Sequence, residues 1–272
     1  MGHAGTLDPF ASGILVLAMG PATRLLSYLS GGQKTYDLRI AFGRATDSLD
    51  CTGESIAEGV VNFDEAQLRA ALPNFLGEIE QRPPSLSAIH IDGVRAHVLH
   101  RRGEAPEEMP SRRVQIHDID LLSFDGSEAR LRVRCGSGTY MRSLARDLGE
   151  VLGCPAHASA LRRESVGVFG LSQASTPKEF ERDWAGGEVA LPPETILSNW
   201  QRIELDDQEV VAIRCGKQPD VSWLDRLTPS PTSGSAARPL GLVDGEGALV
   251  AVAERDDTRG LRLAMVLGRS ET

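Results

Sequence analysis

Cysteine is scarce in this chain: four residues in 272, Cys51, Cys135, Cys154 and Cys215, with no CxxC pair among them. That spacing excludes a zinc ribbon or a disulfide framework and predicts buried thiols in a reducing cytoplasm. Long apolar runs are missing too. No stretch reaches the roughly 20 residues that a bilayer-spanning helix needs, and the first residues lack the basic patch and apolar core of a secretory leader. The expectation is a cytoplasmic protein without a membrane anchor. Positive charge is in deficit, with 29 Lys and Arg against 38 Asp and Glu and a net charge of -9. At first sight such a chain is a poor partner for nucleic acid, because phosphate contacts supply most of that affinity. No internal repeat is found.

What the chain has in quantity is core material. Hydrophobic residues make up 41% of it, which argues against wholesale disorder, and the length suits one large domain accompanied by a small one. The charge is also unevenly spread. Between Arg130 and Arg163 stand seven arginines (130, 132, 134, 142, 146, 162, 163) and only two acids, Asp147 and Glu150, so the local excess is seven minus two, five. All seven are Arg and none is Lys, a choice that suits bidentate recognition of phosphate or carboxylate. By charge count alone a solvated face and an RNA-binding face are equally served.

Periodicity places these residues. YDLRIAF (36–42) alternates strictly, with Tyr36, Leu38, Ile40 and Phe42 on one face, and reads as a strand. RLRVRC (130–135) alternates again, apolar on one side and basic on the other. NFDEAQLRAALPNFLG (62–77) reads as a short helix with Asp64 and Glu65 in its first turn, where the helix dipole favours anions. From Tyr140 the period becomes helical, through Met141, Leu144, Ala145, Leu148, Val151 and Leu152, with Thr139 as the expected N-cap and Arg142 and Arg146 sharing a flank. The polar stretch STPKEFERDWAGGEVALPPE reads as a passage between domains, and LTPSPTSGSAARP (227–239) as a mobile loop. From about residue 200 short strands are expected, with a hairpin turn at Asp244, Gly245 and Gly247. Together these predict an α+β domain with a small β-rich appendage.

The opening stretch, MGHAGTLDPFASG, raises a separate question. Pro9 disfavours helix for the residue before it, so Asp8 belongs to a turn, in a segment with almost no other charge. Most Asp-Pro corners do no more than cap themselves. A catalytic carboxylate is the alternative.

Four blocks decide between them. GHAGTLDPFASGIL resembles the signature loop of the TruB family, the pseudouridine synthases that isomerise uridine 55 in the T loop of tRNA. KTYDLRIAFGRATDSLDCTGE, QRPPSLSAIHIDGVRAH and GSGTYMRSLARDLGEVLGCPAHASALRRESVGVF are similar to further blocks of that family, in family order, and together they cover most of residues 2–170. The resemblance implies an enzyme without cofactor or metal, a monomer acting on the T arm of tRNA with its target base flipped out of the stack. It makes Asp8 the catalytic aspartate, Arg142 its partner, and Tyr36 the ring that stacks on the target base and stands near the carbon 5 proton. His3, Tyr140 and Leu161 take places around the uridine, and Arg132, Arg134, Arg146, Arg162 and Arg163 are expected along the RNA backbone. The implied fold is a mainly antiparallel pseudouridine-synthase sheet over 1–185, with a PUA-like domain over 193–272.

Some features depart from the family pattern. A first strand and a KPxG motif that would precede GHxGTLDP are not in this sequence, so the catalytic domain is expected to be N-terminally truncated. His90 and His97 stand where the family usually has Lys and Tyr. A catalytically weak tRNA-folding chaperone is the competing expectation, and an Asp-dependent hydrolase using Asp47 or Asp50 a third.

Overall fold

Alternating side chains govern how this chain folds. The computed structural model describes residues 1–87, 90–91, 93–95, 98, 102, 104, 109–184, 190–228, 239–256 and 260–267. Two compact units emerge, one made of Gly5–Val16 and Ser30–Ser172, the other of Met1–Ala4, Leu17–Leu29 and Gln173–Thr272. His97, the side chain of His90 and most of the 227–239 loop lie outside the described residues.

The first unit is built on a mixed sheet. Its strands are β1 (Ser12–Gly13), β2 (Lys34–Phe42), β3 (Gly77–Gln81), β4 (Arg112–Phe124), β5 (Glu128–Cys135), β6 (Ala156–Val166) and β7 (Phe169–Gly170). They run in the order β7-β6-β2-β5-β4-β3, antiparallel throughout, while β1 pairs in parallel with β6. β2 buries Tyr36, Leu38, Ile40 and Phe42, and β5 buries Ala129, Leu131, Val133 and Cys135 beside them. This apolar face meets the helices α1 (Glu65–Ala71) and α2 (Met141–Val151) through Leu68, Met141, Leu144, Ala145 and Leu148. Each fully buried Leu removed from water contributes about 2 kcal/mol. α1 opens on a capping box in which Asp64 and Gln67 each accept the other's backbone N–H.

β6 departs from simple alternation. A bulge between Ala158 and Ala160 inserts one extra residue, so Leu161 and Arg163 join the inner face that Ala156 and Ala158 already occupy. Helix α2 begins one residue later than the expected cap. Tyr140 is its N-cap, and the Thr139 hydroxyl donates to the Gly136 carbonyl at 3.1 Å. Val151, assigned by periodicity to the buried stripe, is exposed at the helix end. Of the cysteines, Cys135 and Cys154 are buried as expected, whereas Cys51 and Cys215 are exposed.

The second unit carries a four-stranded sheet of β8 (Gln201–Glu204), β9 (Leu240–Val243), β10 (Leu249–Asp256) and β11 (Gly260–Val266), with β8 parallel to β9 and the rest antiparallel. The expected hairpin joins β9 to β10, where Asp244 Oδ1 accepts from the Glu246 and Ala248 amides. Two helices beyond residue 173 lie where the sequence predicts none. α3 (Pro177–Asp183) lies in the stretch read as a passage, and α4 (Asp207–Arg214) in the stretch read as strands. Both open on capping boxes, Thr176 with Glu179 and Asp206 with Glu209. Among the described residues no helix is long and apolar enough to cross a membrane.

Candidate active site

The turn at Asp8 has the form its sequence demands. The Ala11 amide donates to the Asp8 carbonyl at 2.9 Å, closing a four-residue turn with Asp first and Pro second. The carboxylate does not cap this turn. It reaches helix α2, where Arg142 Nη2 donates to Oδ1 at 2.7 Å and Nε to Oδ2 at 3.1 Å, a two-pronged pairing. Arg142 is nearly buried, with 5% of its side chain exposed, while Asp8 keeps 27%. The acid therefore shows an open edge, and the cation behind it does not.

The remaining donors of Arg142 are committed as well. Nη2 also donates to the Leu86 carbonyl at 3.0 Å, Nη1 donates to the Ser48 carbonyl at 2.9 Å, and Asp50 Oδ2 lies 3.5 Å from Nη1. A guanidinium has five N–H groups in a rigid fork. Here they point at two carboxylates and two carbonyls drawn from three separate segments, so the group cannot swing without breaking several contacts.

Asp50 is held by its own loop. Its Oδ1 accepts from the Ser48 hydroxyl at 2.8 Å, the Thr52 amide at 3.0 Å and the Thr52 hydroxyl. Between Ser48 and Asp50 sits Leu49 at φ +62°, the one non-glycine with positive φ among the described residues. That backbone reversal aims the Ser48 carbonyl and the Asp50 carboxylate at the same nitrogen, and strain of this kind costs about 1 kcal/mol. Asp47 turns elsewhere, accepting from the Ser48 and Glu54 amides. Neither aspartate is placed as the acid or base of a hydrolase.

Two phenols border the site. Tyr36 on β2 is 8% exposed. Burial pushes its phenol above the ordinary tyrosine value, Asp8 adds to the rise, and the charge of Arg163 opposes it. Tyr140 precedes Arg142 at the helix start, and Gln81 locks its backbone by accepting from its amide at 2.8 Å and donating to its carbonyl at 3.1 Å. Burial raises the Tyr140 phenol, Asp8 raises it further, and the cations Arg112 and Arg142 pull it down. Leu161 is buried opposite Leu38, two register positions from the pairing of Arg163 with Tyr36. His3 is exposed, and its backbone pairs with Leu17 in the other compact unit. Among the described residues no three His, Cys, Asp or Glu side chains gather as metal ligands.

The arginine track takes a different form from the one expected. Arg130, Arg132 and Arg134 project from the sheet face opposite Tyr36, and each meets a carboxylate there: Asp37, Glu164 and Asp118 respectively. Arg146 pairs with Asp147 and Glu150. Arg163 is 1% exposed and cannot touch a phosphate as it stands. Only Arg162 of the seven is exposed with no acidic partner among the described contacts. The excess counted along the chain disappears in space because strands distant in sequence bring their acids alongside. Sequence reasoning did not place Asp50, Ser48, Leu86 or Gln81 in the site. The Ser, Thr and Asp density of TDSLDCTG was the available signal, since such residues close loops on their own backbone.

Known proteins resemble this chain in sequence and in fold. Residues 1–141 match the model of the TruB family pseudouridylate synthase N-terminal domain, and residues 142–190 that of the tRNA pseudouridylate synthase B C-terminal domain. The chain is 41% identical over 258 residues to a tRNA pseudouridine synthase B of Xanthomonas axonopodis pv. citri (strain 306), a match that covers 91% of this chain and 82% of the relative. It is likewise 41% identical over 260 residues to that of Parasynechococcus marenigrum (strain WH8102), with coverage of 94% and 84%. Among solved structures, a chain of a Cbf5-Nop10-Gar1 complex aligns with a TM-score of 0.71 at 23% identity, covering 98% of this chain and 75% of that one. A chain of an H/ACA RNP bound to a substrate RNA containing 2'-deoxyuridine also aligns at 0.71, with 21% identity and coverage of 99% and 77%. These structural likenesses concern the fold.

Proposed function

The chain belongs to the TruB family of pseudouridylate synthases, and on that premise we propose that it isomerises uridine 55 in the T loop of tRNA to pseudouridine, with Asp8 as the catalytic carboxylate. The observation that carries this reading is the pairing of Asp8 with Arg142, an acid with one open edge fixed by a cation that has no freedom of its own. The reaction conserves atoms. The bond from ribose carbon 1′ to uracil nitrogen 1 breaks, the base turns, and carbon 1′ joins carbon 5. Carbon 5 then gives up its proton, and nitrogen 1 gains one.

A carboxylate held in this way can attack the sugar or the base, or take a proton from the ribose. It is aimed before substrate arrives, so little reorganisation is left for the chemical step. Reaching a base inside a folded T arm requires flipping it out. Tyr36 and Tyr140 supply aromatic surface beside the acid, Tyr36 being the group near the carbon 5 proton, and Leu161 closes the apolar side. The PUA-like assignment of 193–272 draws support from the four-stranded sheet there. The enzyme acts as a monomer in the cytoplasm, where its tRNA partner is found.

The test is single-turnover release of tritium from a T-arm transcript labelled at uracil carbon 5. This chain is expected to release it, and Asp8→Asn to lose at least about 10³-fold in rate while still binding the RNA. Unchanged release by Asp8→Asn would remove Asp8 from the chemistry. Binding without release by the unaltered chain would favour a tRNA-folding chaperone, and pseudouridine mapped elsewhere than position 55 would correct the substrate position.

A further inference from the structure

Arg163 is among the largest fully buried side chains of the described residues. Taking a guanidinium out of water is costly unless its donors are met, and here backbone carbonyls meet them. Nε donates to Ile14 O at 2.9 Å, Nη1 to Thr6 O at 3.2 Å and Nη2 to Gly5 O at 3.2 Å. Two of these carbonyls precede Asp8 and one follows it, so a single planar group spans both limbs of the loop. Its backbone joins the same clasp. The Ile14 amide donates to the Arg163 carbonyl at 2.9 Å, and a Cβ at Gly13 would stand 2.2 Å from that oxygen.

Arg163 also stands opposite Tyr36 in the register of β6 against β2, and its charge favours the ionised form of that phenol. Among the described residues no carboxylate pairs directly with Arg163. Neutral donors would suffice to hold loop carbonyls, and a buried hydrophobic residue is often no less stable than a buried ion. A cation at this place does something they cannot, which is to favour negative charge on the tyrosine oxygen.

We propose that Arg163 is a positioning residue: it clasps both limbs of the Asp8 loop and sets its charge beside Tyr36, its cross-strand neighbour, so that carboxylate and phenol meet the reacting uridine as one unit. This rests on the function proposed above and adds to that site a residue expected, from the sequence, on the RNA backbone. Arg163→Lys keeps the charge and the stem but cannot span both limbs with one ammonium. Arg163→Met removes the charge as well.

The experiment compares single-turnover tritium release at saturating protein with T-arm RNA affinity measured over a salt series, for the unaltered chain, both Arg163 variants, Tyr36→Phe and Tyr36→Phe combined with Arg163→Lys. The rate is expected to fall about 100-fold in Arg163→Lys, as a misplaced reacting group commonly costs, with Kd and salt slope unchanged within about twofold. In the Tyr36→Phe background the same change should cost several-fold less. If Arg163→Met fails to fold, Arg163→Lys carries the test. A salt slope lowered by about one with the rate preserved would make Arg163 a phosphate contact. Equal losses in both backgrounds would break the link to Tyr36. Either result, or full activity in Arg163→Lys, overturns the proposal. No release by the unaltered chain would instead defeat the proposed function.

Discussion

Asp50 stands behind Arg142 as Asp8 stands in front of it, with Asp50 Oδ2 at 3.5 Å from Nη1 and the Asp8 oxygens at 2.7 and 3.1 Å from Nη2 and Nε. The rear acid is buried and the front acid is partly open. One guanidinium thus answers two carboxylates, and its aim toward the front depends on what holds it from the rear.

Removing that rear hold should misdirect the front. Asp50→Ala loses the charge and the acceptor that serves Ser48 and Thr52, and should destabilise the fold by about 3 kcal/mol. Asp50→Asn keeps the shape and much of the hydrogen bonding. It should fold nearly as well and still lower the single-turnover rate at least about 10-fold. Urea midpoints set beside tritium release separate the two effects, and a fully active Asp50→Asn would show that Arg142 needs no second acid.

Leu49 pays in backbone strain for its place between Ser48 and Asp50. Glycine accepts φ near +62° freely, whereas a β-branched residue there is a severe misfit. Leu49→Gly should leave stability within about 1 kcal/mol of the unaltered chain, and Leu49→Val should lower it by about 2 kcal/mol. Chemical denaturation gives the order directly, and a valine variant as stable as the glycine one would mean that this turn relaxes.

The outer face of the sheet should matter little to RNA. Arg132 and Arg134 are already paired with Glu164 and Asp118 and lie on the side away from Tyr36. The double variant Arg132→Gln with Arg134→Gln should keep T-arm affinity within about twofold and leave the salt dependence unchanged. If both residues contacted phosphates, the slope of log affinity against log salt would drop by about two.

Alkaline stability should carry a mark of Cys135. Burial pushes its thiol from 9.0 up to about 11. The folded chain therefore holds the thiol proton where the unfolded chain has released it. The stability this contributes is complete below about pH 9 and is lost as pH rises through about 11, a change on the order of 2 kcal/mol. Urea midpoints from pH 8 to 11.5 should fall less steeply for Cys135→Ala than for the unaltered chain, and parallel curves would show that the thiol is not protected.

Local pattern alone was enough for much of this protein. The period of two in YDLRIAF and RLRVRC sets which side chains of β2 and β5 are buried, the helical period sets the stripe of α2, and the Asp-Pro pair sets the turn at Asp8. The four blocks that resemble TruB point to Asp8, Tyr36 and Arg142, and the fold brings Asp8 and Arg142 into direct contact with Tyr36 bordering them. The capping boxes of α3 and α4 are written in the sequence as TPKE and DDQE, but prolines, glycines and strand-like neighbours around them mask the helical signal.

Only tertiary structure decided the roles of the charges. Whether Arg163 faces solvent or core depends on the bulge near Ser159. Whether the arginines of β5 are free depends on Asp37, Asp118 and Glu164, which come from other strands. Asp50 becomes part of the site because Leu49 reverses the chain beside a helix nearly 100 residues away. A side chain's period is a property of its neighbours in sequence, whereas the partner of a charge is set by whatever the fold brings within a few ångströms of it.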